Sequence, residues 1–170
     1  QTYRLVSDNP ILYQTQNDSR SDTSHRGWYI NLSPNTGEMS VTNSRIESNT
    51  IAFSTTIPNT ETCAASGTGY FMLLDRRNGG RTDYPAFDLN GDGQLNVPND
   101  TVSRTENGKD VNVGASGVLI KQGIPGAASH QQDKANGKAF YIVPTSDGSI
   151  RTVATPPDPD RRRSWREIRR

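Results

Sequence analysis

Tyr70-Phe71-Met72-Leu73-Leu74-Asp75-Arg76-Arg77-Asn78-Gly79-Gly80 is an apolar run that ends abruptly in a charged turn carrying glycine. A short run of this kind, with aromatic residues and a turn signal at its end, reads as a β-strand that reverses at Asn78-Gly79. Working outward, the same grammar recurs. Trp28 to Leu32, Thr50 to Ile57, Val118 to Ile120 and Phe140 to Val143 are the other clear strands, and Tyr3 to Val6, Ser40 to Thr42 and Ile150 to Val153 are weaker ones. Thr36-Gly37, Ser48-Asn49, Asn107-Gly108, Asn136-Gly137 and Asp147-Gly148 supply turns that tolerate positive φ, so the strands they join are expected to be antiparallel neighbours. Before the last ten residues no helical period is sustained for more than about two turns, so the chain reads as all-β.

Two segments align by their turns. Val41 to Ile46, Ile51 to Phe53, then Tyr70 to Leu74 and its glycine turn form the first; Val113, Val118 to Ile120, then Phe140 to Val143 and Asp147-Gly148 form the second. Strand, turn, strand, loop, strand and glycine turn is the pattern of a β-propeller blade, which ideally takes about 40 to 45 residues. The expectation is a partial β-propeller of two to three blades with long inserted loops, against an ordinary β-sandwich as competitor. Residues 1–154 would form this domain, and 155–170 a Pro-rich linker with a basic tail, since three prolines lie between Thr155 and Asp160 and six of the ten residues from Arg161 to Arg170 are arginine. Asn9 to Arg26 reads as a surface excursion.

Composition bounds the function. The 170 residues carry a formal net charge of +1 and are 31% hydrophobic, which fits a turn-rich domain with a modest core and argues against a dedicated nucleic-acid binder. No stretch approaches the roughly 20 apolar residues of a membrane span, so membrane insertion is not expected. A start at Gln1 suggests a mature or excised piece of a longer protein. The single Cys63 reads as a free buried thiol or as half of a bridge to another part of that protein.

Chemistry concentrates in Asp88-Leu89-Asn90-Gly91-Asp92-Gly93-Gln94-Leu95-Asn96. Counting Asp88 as position 1, side-chain oxygens fall at positions 1, 3, 5 and 9, with Gly93 at position 6 for the bend and Gln94 at position 7 to offer its main-chain carbonyl. Alternate positions of a tightly wound loop point inward, and Ca²⁺ requires six to eight oxygen ligands, so Asp88, Asn90, Asp92, Gln94 and Asn96 are the expected metal ligands. Position 12, where a bidentate carboxylate is usual, is Asn99; Asp100 lies one residue further and reaches in only if the loop bulges. With two carboxylates the expected dissociation constant is on the order of 10⁻⁴ to 10⁻³ M. The bland alternative is a set of Asx and glycine turns without an ion.

Elsewhere the signals are weak. His25 and His130 lack acidic or cysteine neighbours at ligand spacing and read as surface residues, no serine sits in a G-x-S-x-G context, and no glycine-rich phosphate loop opens a helix, so no active site is expected. Lys121, Lys134 and Lys138 read as solvated charges. In the tail, Trp165 and Ile168 fit a closing strand or turn docked through its aromatic better than a nucleic-acid or lipid site.

Arg26-Gly27-Trp28-Tyr29-Ile30, Val41-Thr42-Asn43, Ser54-Thr55-Thr56-Ile57-Pro58 with Cys63 following, Tyr70 to Asp75, the Asp88 to Asn96 loop and Arg162-Arg163-Ser164-Trp165-Arg166-Glu167 occur in this order. Together they resemble the C-terminal region of the PilY/PilC family of type IV pilus biogenesis factors and tip adhesins. The resemblance spans residues 26 to 168. It implies a modified, quinoprotein-like β-propeller at the cell surface, pilus tip, outer membrane or periplasm of a bacterium. It also implies a calcium loop that regulates pilus extension and retraction, with roles in adhesion and twitching motility. Pilins, minor pilins and a host or abiotic surface would be the partners, and the function would not be enzymatic. The family usually has a third aspartate at loop position 9, where this chain has Asn96, and the chain has no Arg-Gly-Asp sequence. Two rivals use the same residues. A dockerin-like or other extracellular calcium module would begin with such a loop but needs a helix after it, and a quinoprotein dehydrogenase fragment would need cofactor-lining residues.

Overall fold

The computed structural model describes residues 2–13, 24–32, 37–59, 67–133 and 135–157. Cys63, Lys134, Trp165 and the basic tail lie outside them. The described residues contain ten strands and no helix: β1 (Tyr3–Arg4), β2 (Arg45–Glu47), β3 (Thr50–Ser54), β4 (Gly69–Asp75), β5 (Thr101–Glu106), β6 (Lys109–Gly114), β7 (Gly117–Ile120), β8 (Ser129–Asp133), β9 (Lys138–Pro144) and β10 (Ile150–Thr155). They form a five-stranded sheet in the order β1-β7-β4-β3-β2, a three-stranded meander β10-β9-β8 and a separate hairpin β5-β6. Every strand pairing is antiparallel.

β4 is the centre of the larger sheet because its sequence can be buried on both faces. Phe71 and Leu73 point into the main core, while Met72 and Leu74, on the opposite face, are also fully buried. A strand covered on both sides needs a continuous apolar run rather than an alternating one. Phe71 pairs with Val118 on β7 and with Ser54 on β3, so a one-residue slip of register would exchange the two faces. The main core joins the two larger sheets. Phe71, Leu73, Val118 and Ile120 from one meet Tyr141, Val143 and Val153 from the other, and the rings of Phe71 and Tyr141 lie 4.9 Å apart. Each such side chain contributes about 1.5–3 kcal/mol by leaving water.

Several expectations are corrected. Val118 to Ile120 does not open a second repeat; it is the fourth strand of the first meander, beside β4, and the stretch between Asp75 and Gly117 is an insertion within that unit. The reason lies in the face pattern: Val118 and Ile120 complete the apolar layer made by Phe71 and Ala52. Trp28 to Leu32 is not a strand. The Trp28 indole instead packs over Gly79, where a Cβ would come within 2.3 Å of its ring, and its Nε1 donates to the Arg76 carbonyl at 3.0 Å. Gly79, at φ +67°, therefore serves both the turn and the ring above it. Ser40 to Thr42 is likewise not a strand, Thr50 to Ile57 keeps regular pairing only as far as Ser54, and Tyr3 to Val6 only as Tyr3–Arg4. The largely polar strands β5, β6 and β8 carried little apolar signal beyond Val113 in β6, and what was legible of them was chiefly their turns at Asn107-Gly108 and Asn136-Gly137.

Candidate metal centre

The loop that carries the carboxylates leaves the core at Phe87 and ends where β5 begins. Phe87 is 1% exposed and meets Phe71 edge to face, with ring centroids 6.2 Å apart. Asp88 follows immediately, so its position is set by a buried aromatic. Its Oδ1 accepts the Gly91 N–H at 2.6 Å and its Oδ2 the Gly93 N–H at 2.8 Å. Gly91 and Gly93 both hold positive φ, +81° and +76°, a conformation that side-chain-bearing residues resist. Asn90 Oδ1 accepts the Asp92 N–H at 3.0 Å, and Asp92 Oδ1 accepts the Gln94 N–H at 2.8 Å, two successive Asx turns that wind the loop tightly. The Asn90 side-chain amide donates to Asp92 Oδ2 at 2.8 Å. These hydrogen bonds, the Asn90 amide first and the Gln94 N–H second, hold the Asp92 carboxyl below the ordinary carboxylate range.

Asp100 completes the arrangement. It is 0% exposed, and its carboxylate reaches back to take N–H bonds from Leu89 at 2.8 Å, Asn90 at 3.4 Å and Asn96 at 2.9 Å. Its own N–H donates to the Asn96 carbonyl at 2.9 Å, closing a small turn around Val97 to Asn99. This is the bulge that the spacing made a condition for Asp100 to enter. Carboxylate oxygens of Asp88, Asp92 and Asp100 consequently lie within 4.8 Å of one another.

Of the expected ligands, Asp88 and Asp92 are in the cluster; Asn90 supports the Asp92 carboxylate, and Gln94 and Asn96 donate main-chain N–H groups to Asp92 and Asp100. Asp100 was the residue the motif alone did not assign. Its signal was a carboxylate one place past position 12, and only the folded turn brings it inward.

The donor set suits a hard divalent cation. Three carboxylates converge, one of them fully buried, and among the described residues none of the three is ion-paired with lysine or arginine. A buried carboxylate normally has a charged partner as well as hydrogen bonds. Lys138 lies beside the loop, its Nζ 3.9 Å from the place a Cβ on Gly93 would occupy. The histidines are engaged elsewhere: His25 is exposed and its Nδ1 accepts the Leu12 N–H at 3.1 Å. His130, expected at the surface, is half-buried against the Tyr141 ring at 4.8 Å, because β8 lies beside β9.

This chain is 28% identical over 170 residues to the Type IV pilus biogenesis factor PilY1 of Pseudomonas aeruginosa strain PAO1, and equally to that of strain PAK. The match covers 98% of this chain and 13% of each relative. The protein of the same name from strain UCBPP-PA14 is 26% identical over 172 residues, covering 97% of this chain and 14% of the relative. Among solved structures, the Pseudomonas aeruginosa PilY1 C-terminal domain matches with a TM-score of 0.53 at 22% identity, over 73% of this chain and 21% of that one. No protein-family model matches. The resemblance seen in the sequence is thus met by curated PilY1 proteins and by the fold of a PilY1 C-terminal domain, and the all-β, propeller-like architecture stands.

Proposed function

We propose that this chain is a calcium-binding, propeller-like segment of a type IV pilus biogenesis factor, acting at the cell surface to regulate the balance of pilus extension and retraction. The observation that carries the reading is the convergence of Asp88, Asp92 and Asp100 in a chain similar over nearly its whole length to PilY1. Adhesion, twitching motility and contact with pilins would be properties of a whole protein such as the matched relatives, of whose length this chain spans about 13%.

The residues do three things in this reading. Phe87 fixes the start of the loop to the core, Gly91 and Gly93 allow it to wind, and Asp100 draws its far end back over Leu89 and Asn96. A bound Ca²⁺ supplies a double positive charge that offsets three negative ones gathered in a small volume. Asp100 adds a carboxylate to the two counted from the motif, so the expected dissociation constant falls below the two-carboxylate range of about 10⁻⁴ to 10⁻³ M. The role in this reading is regulatory rather than catalytic. Against the dockerin-like alternative, the chain after the loop is the β5-β6 hairpin where that module needs a helix.

Isothermal titration of the chain with CaCl₂ tests the reading. Saturable binding that is lost in Asp88→Ala and Asp92→Ala is expected, and in the full-length protein the same variants should change pilus number or twitching. Calcium uptake that persists unchanged in both variants would refute it.

A further inference from the structure

We infer that Asp100 makes the β5-β6 hairpin a cation-dependent element: an ion held by Asp88, Asp92 and Asp100 fixes the entrance of β5, and the hairpin opens far more readily when the ion leaves. The inference rests on the metal reading above and goes beyond it by naming what occupancy changes.

The hairpin pairs with neither larger sheet. Among the described residues its two strands pair only with each other, from Thr101 opposite Gly114 to Glu106 opposite Lys109. Its two ends are held very differently. The exit of β6 is built into the core: Val113, Gly114 and Ala115 are buried, Gly114 lies so close to the Tyr84 carbonyl that a Cβ would stand 2.6 Å from it, and β7 begins at Gly117 in the five-stranded sheet. The entrance of β5 is held through its pairing with that exit, Thr101 opposite Gly114, and through the turn before it, where the Thr101 N–H and hydroxyl donate to the Pro98 carbonyl at 3.2 and 2.8 Å. Thr101 follows Asp100 directly, and Asp100 is held through its carboxylate to main-chain N–H groups of the metal loop, at Leu89, Asn90 and Asn96. Further out, Arg81 forms an ion pair with Glu106 at 3.0 Å.

Without a cation, three carboxylates within 4.8 Å of one another repel, and the contact that yields to relieve this is the reach of Asp100 across the loop. Asp88 and Asp92 are held by turns internal to their own segment, whose start Phe87 ties to the core. Separating Asp100 from that segment leaves the start of β5 to its pairing with β6, which stays anchored. A ligand that binds only the closed arrangement suppresses the open one by a factor of one plus the ratio of its concentration to its dissociation constant, about 100-fold at a hundredfold excess.

Hydrogen exchange of the whole chain, with CaCl₂ or with EGTA, reads this directly. In calcium, amides of residues 101–114 should gain at least tenfold protection together with those of the loop. In Asp100→Asn the loop amides keep a calcium response, at weaker affinity, while those of 101–114 lose it. Should Asp100→Asn fail to fold, Arg81→Gln decides: with the outer tether gone the hairpin exchanges faster in EGTA, and calcium restores protection at least tenfold. Calcium binding by calorimetry with protection confined to residues 88–96 would overturn the inference and leave the metal reading standing. Absence of any calcium binding would overturn both.

Discussion

Asp92-Gly93 and Asp147-Gly148 are the same dipeptide in exposed turns of the same protein, and their carboxylates end in different work. Asp147 Oδ1 takes the Thr145 hydroxyl at 2.6 Å, the Ser149 N–H at 2.9 Å and the Ser149 hydroxyl at 2.8 Å, all from within two residues. Asp133 behaves alike, spending its oxygens on Ala135 and Asn136. The Asp88 to Asn96 segment uses the same local Asx chemistry, but a buried carboxylate from Asp100 is added from outside the turn. Local turn chemistry therefore does not distinguish the candidate metal loop from an ordinary turn; the convergence of a further carboxylate is what separates the two segments.

The difference can be broken first at its anchor. Phe87→Ala removes the aromatic that ties the loop to the core and is expected to cost about 3–5 kcal/mol of stability, read from the denaturant midpoint, with calcium affinity falling as the loop loses its base. Next in size, Asp88→Ala should weaken calcium binding at least 100-fold by calorimetry, whereas Asp147→Ala should leave it within twofold; equal losses would erase the contrast. Asn96→Asp sharpens it, since a carboxylate at loop position 9 should tighten calcium binding roughly tenfold.

The smallest effect is on pH dependence in the presence of EGTA. The Thr145 hydroxyl, followed by the Ser149 N–H and hydroxyl, holds the Asp147 carboxyl below the ordinary carboxylate range, and the Asn136 side chain does the same for Asp133. A carboxyl lowered by folding contributes stability that is present above its unfolded pKa and is lost as pH falls through its folded one. The Tm should accordingly decline below about pH 4, and Asp147→Asn should make that decline shallower by a degree or two. An unchanged pH profile in the variant would remove Asp147 from the account.

The strands with apolar cores were readable because burial leaves a mark on composition: Tyr70 to Leu74 and Phe140 to Val143 announce β4 and β9. β5 and β8 were not, since their residues are largely polar and half-exposed, and their pairing is decided by turns and by neighbours. Trp28 to Leu32 misled for the opposite reason, its aromatic residues serving a turn and the surface rather than a strand: Trp28 covers Gly79, and Tyr29 is 85% exposed.

By itself the sequence determined an all-β chain and the placement of Asp88, Asn90 and Asp92 at alternating positions, because both follow from periodicities of a few residues. Only the tertiary structure decided that Val118 to Ile120 completes the first sheet across a long insertion, and that Asp100 turns inward to join Asp88 and Asp92. Those outcomes depend on which surfaces bury one another and on how a turn returns a charge to a point already acidic. Neither is encoded in any local spacing.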